Sequence, residues 1–255
     1  MTRSLTVGFV CACFVLPPGS LPQSSQWAGT PSTPSREVLS YEVEWRLIYA
    51  GEAKLSVEPS PASLTSKVHL ESAGLVSKLY TLNDNYETRW TGPNCVQQTK
   101  LDALERSRHR ETDVTYDYSR GKTNYVERDL IKNSIFKTAE AEIPACVSDI
   151  VGSLYKLRTM PLRPGQSGQI LLSDGKKTVP ARVEAQAEEK ITTKAGTFNT
   201  IRYEAFVFNG VLYTRKAQLL IWLSDDAKRI PVQIRARMAF PVGAITLTLE
   251  KEEHP

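Results

Sequence analysis

Little in this chain offers a handle for catalysis. Its 255 residues include 3 histidines and 4 cysteines, and His69, His109 and His254 stand far apart. The close Cys/His spacing of a zinc site is missing, so no metal and no other cofactor is expected. Gly-x-Ser-x-Gly, a glycine-rich phosphate loop opening a helix, and His-Glu-x-x-His are all absent, which removes the usual marks of serine hydrolases, nucleotide enzymes and zinc proteases. His109 lies among charges and His69 is alone in a short strand, so neither reads as a base beside a nucleophile. Asp225 and Asp226 would point opposite ways in a strand and serve as turn formers in a turn, which argues against a glycosidase pair. No repeat of fixed period occurs, excluding a propeller or solenoid.

Charge is nearly balanced: 32 Lys and Arg against 28 Asp and Glu leave +4. Such an excess speaks to solubility. The densest basic run, residues 105–111, has glutamates at both ends and no aromatic inside, as a solvated face would. No nucleic-acid partner is expected.

At the N-terminus, Arg3 precedes an uncharged run over residues 5–16, followed by Pro17, Pro18 and a Ser, Gln, Gly and Thr-rich stretch. That run suits a signal peptide and is too short for a membrane-spanning helix; a buried N-terminal strand is the alternative. The expected layout is a signal peptide over residues 1–20, a disordered linker over 21–36 and a single mainly-β domain over 37–252. Export to the periplasm or exterior follows, with no transmembrane span once the leader is removed. A lipid anchor at Cys13 is the lesser alternative, because Cys11 and Val10 upstream fit a lipobox poorly. Cys95 and Cys146 then remain as an even pair. In an oxidising compartment a disulfide between them would contribute roughly 3–4 kcal/mol; two unrelated buried thiols are the competing reading.

Alternation of period two dominates the rest. Leu39, Tyr41, Val43, Trp45 and Leu47 share one face of a first strand, and Ala50-Gly51 permits a bend before Ala53, Leu55 and Val57 resume it. Further strands are expected near residues 67–71, 85–90, 96–101, 112–118 and 122–127, then 167–172 and 177–187 across Asp174-Gly175. Ile201 to Val207 runs into Asn209-Gly210, a strong hairpin signal, with a partner strand beginning at Val211. A last hairpin joins the strands led by Ile230 and Ile245. One helix is expected after Cys146, with Ser148 as cap and Ile150, Val151, Leu154, Tyr155 and Leu157 on its apolar stripe. The fold class is therefore mainly β: an antiparallel barrel-like or curved-sheet domain with one short packed helix.

Ordered phrases carry a family resemblance. Leu39-Ser40-Tyr41-Glu42-Val43, the stretch from Val147 to Arg158, Lys194-Ala195-Gly196-Thr197-Phe198, Leu220-Ile221-Trp222-Leu223-Ser224-Asp225-Asp226 and Arg229-Ile230-Pro231-Val232 resemble the bacterial domain of unknown function 3108. The resemblance implies an antiparallel, barrel-like domain facing the envelope or exterior, and implies no reaction. Gly152-Ser153 departs from the Ser-Ala-like pair common in that family. Glycine there costs about 1 kcal/mol against alanine, so close contact with another element is expected.

Tyr155 and Arg158 can be neighbours at i,i+3 on the helix. At the mouth of a closed sheet they could orient a carboxylate or phosphate head-group, with Trp222 or Trp45 against the apolar portion; ordinary packing roles are the alternative. The functional expectation is an exported non-catalytic β-domain carrying a lipid-like or amphipathic envelope molecule. An envelope scaffold recognising protein or glycan through a strand edge is the alternative, and a hydrolase the third.

Overall fold

The computed structural model describes residues 36–92 and 95–254. The leader, the linker to residue 35, Cys11 and Cys13 lie outside the described residues. Fourteen strands form one antiparallel sheet. The first eight are a meander: β1 (Glu37–Trp45), β2 (Ile48–Pro59), β3 (Leu64–Ser72), β4 (Leu82–Thr91), β5 (Cys95–Glu105), β6 (Arg108–Asp117), β7 (Lys122–Asp129) and β8 (Ser134–Glu142), with α1 (Gly74–Leu79) between β3 and β4. After α2 (Ile150–Arg158) come β9 (Ser167–Ser173), β10 (Thr178–Thr193), β11 (Gly196–Phe206), β12 (Ala217–Ser224), β13 (Pro231–Met238) and β14 (Ala244–Glu253). Pairing of β1 with β14 fuses the two meanders, leaving β8 and β9 as the edges.

The sheet is curved and open. Residues 143–149 bridge its two ends without completing a ladder: Val96 N–H donates to Val147 O at 2.9 Å, and Ser148 N–H donates to Leu171 O on β9 at 2.9 Å. The β9–β10 turn leans the same way, with Thr123 Oγ1 on β7 donating to Gly175 O at 2.7 Å. A disulfide joins Cys95 on β5 to Cys146, their Cα atoms 5.0 Å apart.

Alternation decides which face is inside. Along β1 the odd positions from Glu37 to Val43 are buried and the even ones only partly, and α2 packs on that inner face through Val151 and Tyr155 against a cluster with Leu39, Tyr41, Leu55, Val57 and Trp90. Full burial of such side chains contributes about 1.5–3 kcal/mol each. Leu157 turns to a second cluster with Ile170, Val183, Ile201 and Leu223. A helix of nine residues is marginal alone; packing on both clusters stabilises it.

Several local expectations are corrected. Leu47 is not in the first strand: Arg46 and Leu47, with φ of 51° and 66°, form the tight hairpin turn whose twist suits a β-ribbon. Gly51 lies within β2 at φ 153°, where a Cβ would overlap the Glu71 carbonyl. Asn209-Gly210 does turn, with φ of 59° and 92°, but inside an irregular connection, so the partner strand begins at Ala217 rather than Val211. Strand β8 was not expected because its residues are exposed on nearly every position, as an edge strand allows, and so show little alternation. Helix α1 buries none of its six residues and is too short to display a helical period.

Candidate functional site

Two buried polar clusters flank α2. At its start, Asp149 rather than Ser148 is the cap, its carboxylate accepting Val151 N–H and Gly152 N–H at 3.1 Å each. The same carboxylate accepts the Tyr86 hydroxyl at 2.8 Å, tying the helix to β4. Gly152 is explained here, and not by another element: a Cβ on it would stand 2.7 Å from Asp149 Oδ1, so alanine would push away the capping group.

Asp149 is buried, and burial raises its pKa although Tyr86 and the two amides pull it down. A carboxyl whose folded pKa lies above its unfolded value binds protons more readily when folded, so its contribution to stability rises as pH falls through that window. Asp149→Asn keeps a capping oxygen and cannot titrate. The thermal midpoint of wild type relative to this variant should therefore climb as pH is lowered from neutral toward the ordinary carboxylate range. A constant difference across that range would contradict the assignment.

At the other end of α2, Arg158 meets Glu37 in a bidentate pair, Nη1 to Oε1 at 2.7 Å and Nη2 to Oε2 at 2.8 Å. Their side chains are 8% and 3% exposed. Nη2 also donates to Lys228 O at 2.9 Å, and the Tyr155 hydroxyl reaches Glu37 Oε1 at 3.4 Å. Burial alone would lower the Arg158 pKa, but the bonds from Glu37 outweigh it and hold the guanidinium charged. Burial beside Glu37 pushes the Tyr155 hydroxyl well above its ordinary value. Its ring packs 5.4 Å from Trp90.

Arg229 closes the helix. Its Nε donates to Arg158 O at 2.8 Å, and Nη2 donates to Met160 O at 3.0 Å and to the Tyr203 hydroxyl at 2.7 Å. A buried cation on the last carbonyls of a helix answers the negative end of its dipole.

The structure brings Tyr155 and Arg158 together and places the two tryptophans elsewhere. Trp222 pairs with Arg202 and Gln233 on the outer face, where its Nε1 donates to Glu189 at 2.7 Å. Trp45 closes the upper end of β1, donating to Val242 O at 2.6 Å. Glu37 and Arg229 escaped the sequence reading. Extending the parity of Leu39, Tyr41 and Val43 one step back would have put Glu37 on the buried face.

Elsewhere, a shallow trough of about 310 Å³ crosses the outer face beside Lys67, His69, Asn85, Glu87, Lys100 and Asp102. His69 is bonded to Asn85 at 2.9 Å and His109 to Asp102 at 2.7 Å. Among the described residues no group of three His, Cys, Asp or Glu side chains could hold a metal ion, and no helix is long and apolar enough to cross a membrane.

The inner wall changes character along its length. Near α2 its apolar residues are sealed, as at Leu39, Val57 and Trp90, each 0% exposed. Toward the opposite end Val68, Leu70, Leu101, Ile245 and Leu247, on the same face, are only partly covered. The helix fills one half of the concavity; in the other half these partly covered apolar side chains share the face with Asp84, opposite Leu70, and Thr112, opposite Leu101.

No curated protein matches the sequence. Among solved structures, the chain is similar to a beta-barrel-like protein of the domain of unknown function DUF1849 from Brucella abortus, at 9% identity and a TM-score of 0.55, covering 86% of this chain and 97% of that one. It also matches a protein with a YmcC-like fold from Bacteroides fragilis at 10% identity, covering 87% and 97% of the two chains, with a TM-score of 0.33. The first of these likenesses shows the fold and nothing more. The family model for the protein of unknown function DUF3108 matches residues 40–250, nearly the whole sheet together with α2, and the chain belongs to that family.

Proposed function

We propose that this is an exported, non-catalytic domain that holds the apolar part of an amphiphilic envelope molecule against the concave wall beyond α2. The observation that supports this is the band of partly covered Val68, Leu70, Leu101, Ile245 and Leu247 on a face whose other half is sealed by the helix. Apolar surface left open in a concavity is the ordinary form of a site for a hydrophobic ligand. Arg158 is already occupied by Glu37, so the wall, and not the helix end, supplies the contact. The envelope-scaffold alternative rests on β8, which has a strand on one side only and offers its free edge to an extended peptide.

Native mass spectrometry of protein purified from its own envelope tests the reading, and co-purified amphiphile is expected. In fluorescence titrations with alkyl probes, Leu101→Ser with Leu247→Ser should weaken binding about tenfold, since two apolar contacts are lost. Trp222→Ala, on the outer face, should leave the affinity unchanged. Absence of any bound amphiphile together with no probe binding by wild type would leave the β8 edge as the better account.

A further inference from the structure

One rim of the sheet is apolar and carries cations, whereas the opposite rim carries cations, among them Arg120, Lys194 and Lys228, without the apolar side chains. Of the fifteen large apolar side chains exposed among the described residues, twelve lie on or beside five connections at the same end. Those connections are residues 46–47, 73–81, 106–107, 130–133 and 239–243. Leu47 is 86% exposed, Leu75 70%, Leu79 66%, Ile131 64% and Phe240 91%. Exposure on this scale, gathered at one end, marks a surface that meets something apolar.

The five tips form a continuous rim. Arg46 bonds the Pro241 carbonyl and lies over the Phe240 ring. A Cβ on Gly74 would touch Tyr49 at 3.3 Å. Arg106 N–H donates to Thr81 O at 2.8 Å, and Leu130 N–H to His109 O at 3.0 Å. The charged residues within the five connections are Arg46, Lys78, Arg106 and Lys132, with no acid among them. Among the acids of the adjoining strand ends, Glu105 pairs with Arg108 at 2.7 Å, Asp129 with Arg110 at 3.2 Å, and Glu52 accepts the Tyr49 hydroxyl at 3.2 Å, while Glu44 and Glu71 lie two residues from the rim. Asp84 sits half-buried behind them. At the opposite end, residues 60–63, 118–121, 194–195 and 225–230 expose no large apolar side chain.

From this rim we propose that the protein docks on the surface of a bilayer carrying anionic lipids, with Leu47, Leu75, Leu79, Ile131 and Phe240 entering the head-group boundary and the four cations meeting lipid phosphates. Apolar tips with a basic surround suit that interface, where buried area and attraction to anionic lipid act together. A second copy is the poorer occupant, because a symmetric contact would set the same cations against each other. The inference goes beyond the concave-wall reading and does not depend on it.

Flotation of the full chain with phosphatidylglycerol-containing and pure phosphatidylcholine vesicles is the test. Wild type should prefer the anionic vesicles and lose that preference at high salt. Leu47→Ser with Leu79→Ser and Phe240→Ser should weaken association about tenfold or more. Arg46→Gln with Lys78→Gln, Arg106→Gln and Lys132→Gln should abolish the preference for anionic lipid. Thermal midpoints near wild type would show that both variants fold, as substitutions at exposed tips should allow. Both retain residues 1–35, so association carried by that segment survives in them and overturns the proposal. No vesicle binding by wild type, or a dimer in sedimentation velocity that the serine variant dissolves, overturns it too. Alkyl-probe affinity should be unchanged in the rim variants, which separates failure here from failure of the concave wall.

Discussion

Replacing Glu37 with alanine should lower stability by about 3–5 kcal/mol, the usual consequence of leaving one member of a buried ion pair without its partner. Arg158 would keep its bond to Lys228 O but lose both carboxylate contacts while remaining 6% exposed, too deep for water to replace them. For a domain of this size each kcal/mol moves the thermal midpoint by about 2–4 °C, so a fall on the order of 10 °C is expected. The double variant Glu37→Leu with Arg158→Met should recover much of the loss, because a buried pair exchanged for apolar residues of similar volume is often neutral. A midpoint shift for Glu37→Ala within a degree or two of wild type would mean that the pair is not formed in solution. Retention of alkyl-probe binding in the folded double variant would agree with a structural task for Arg158, whereas selective loss of anionic probes would return it to the ligand.

That pair also shows how far the sequence could be read. Parity along β1 and the helical stripe of α2 were both legible, because each element buries one face and period is all that is needed. Partner choice was not. Glu37 and Arg158 are separated by 121 residues, and their meeting depends on α2 crossing the inside of the sheet, which no local pattern encodes. Trp222 illustrates the complementary limit. Both parities around it are apolar and the strand is buried from Leu220 to Ser224, yet its contacts with Glu189 and Arg235 put it on the face away from α2. At the first hairpin, Leu47 continued the alternation so well that only backbone geometry reveals the turn. Leucine in a turn is poor turn chemistry; placed on the apolar rim it becomes intelligible.

Reduction of the disulfide should be the other large perturbation. Cys95 and Cys146 are 51 residues apart, and opening a loop of that length frees the unfolded chain by roughly 3–4 kcal/mol on the chain-entropy account. The bond also has a definite place in the fold. Residues 143–149 lie across the gap between the two ends of the sheet, held to β5 through Val147 O and to β9 through Ser148, and Asp149 at their end caps α2. Without the covalent tie, that segment keeps only its hydrogen bonds, so loosening should begin at the gap and reach the helix before it reaches β1 and β14. Hydrogen exchange should then show amides of α2 and β9 losing protection in reduced protein, while those of the β1–β14 ladder stay protected. Cys95→Ser with Cys146→Ser should behave as the reduced protein does. Peptide mapping that found free thiols at both positions in protein from an oxidising compartment, or uniform loss of protection across the sheet on reduction, would contradict the role assigned to this bond.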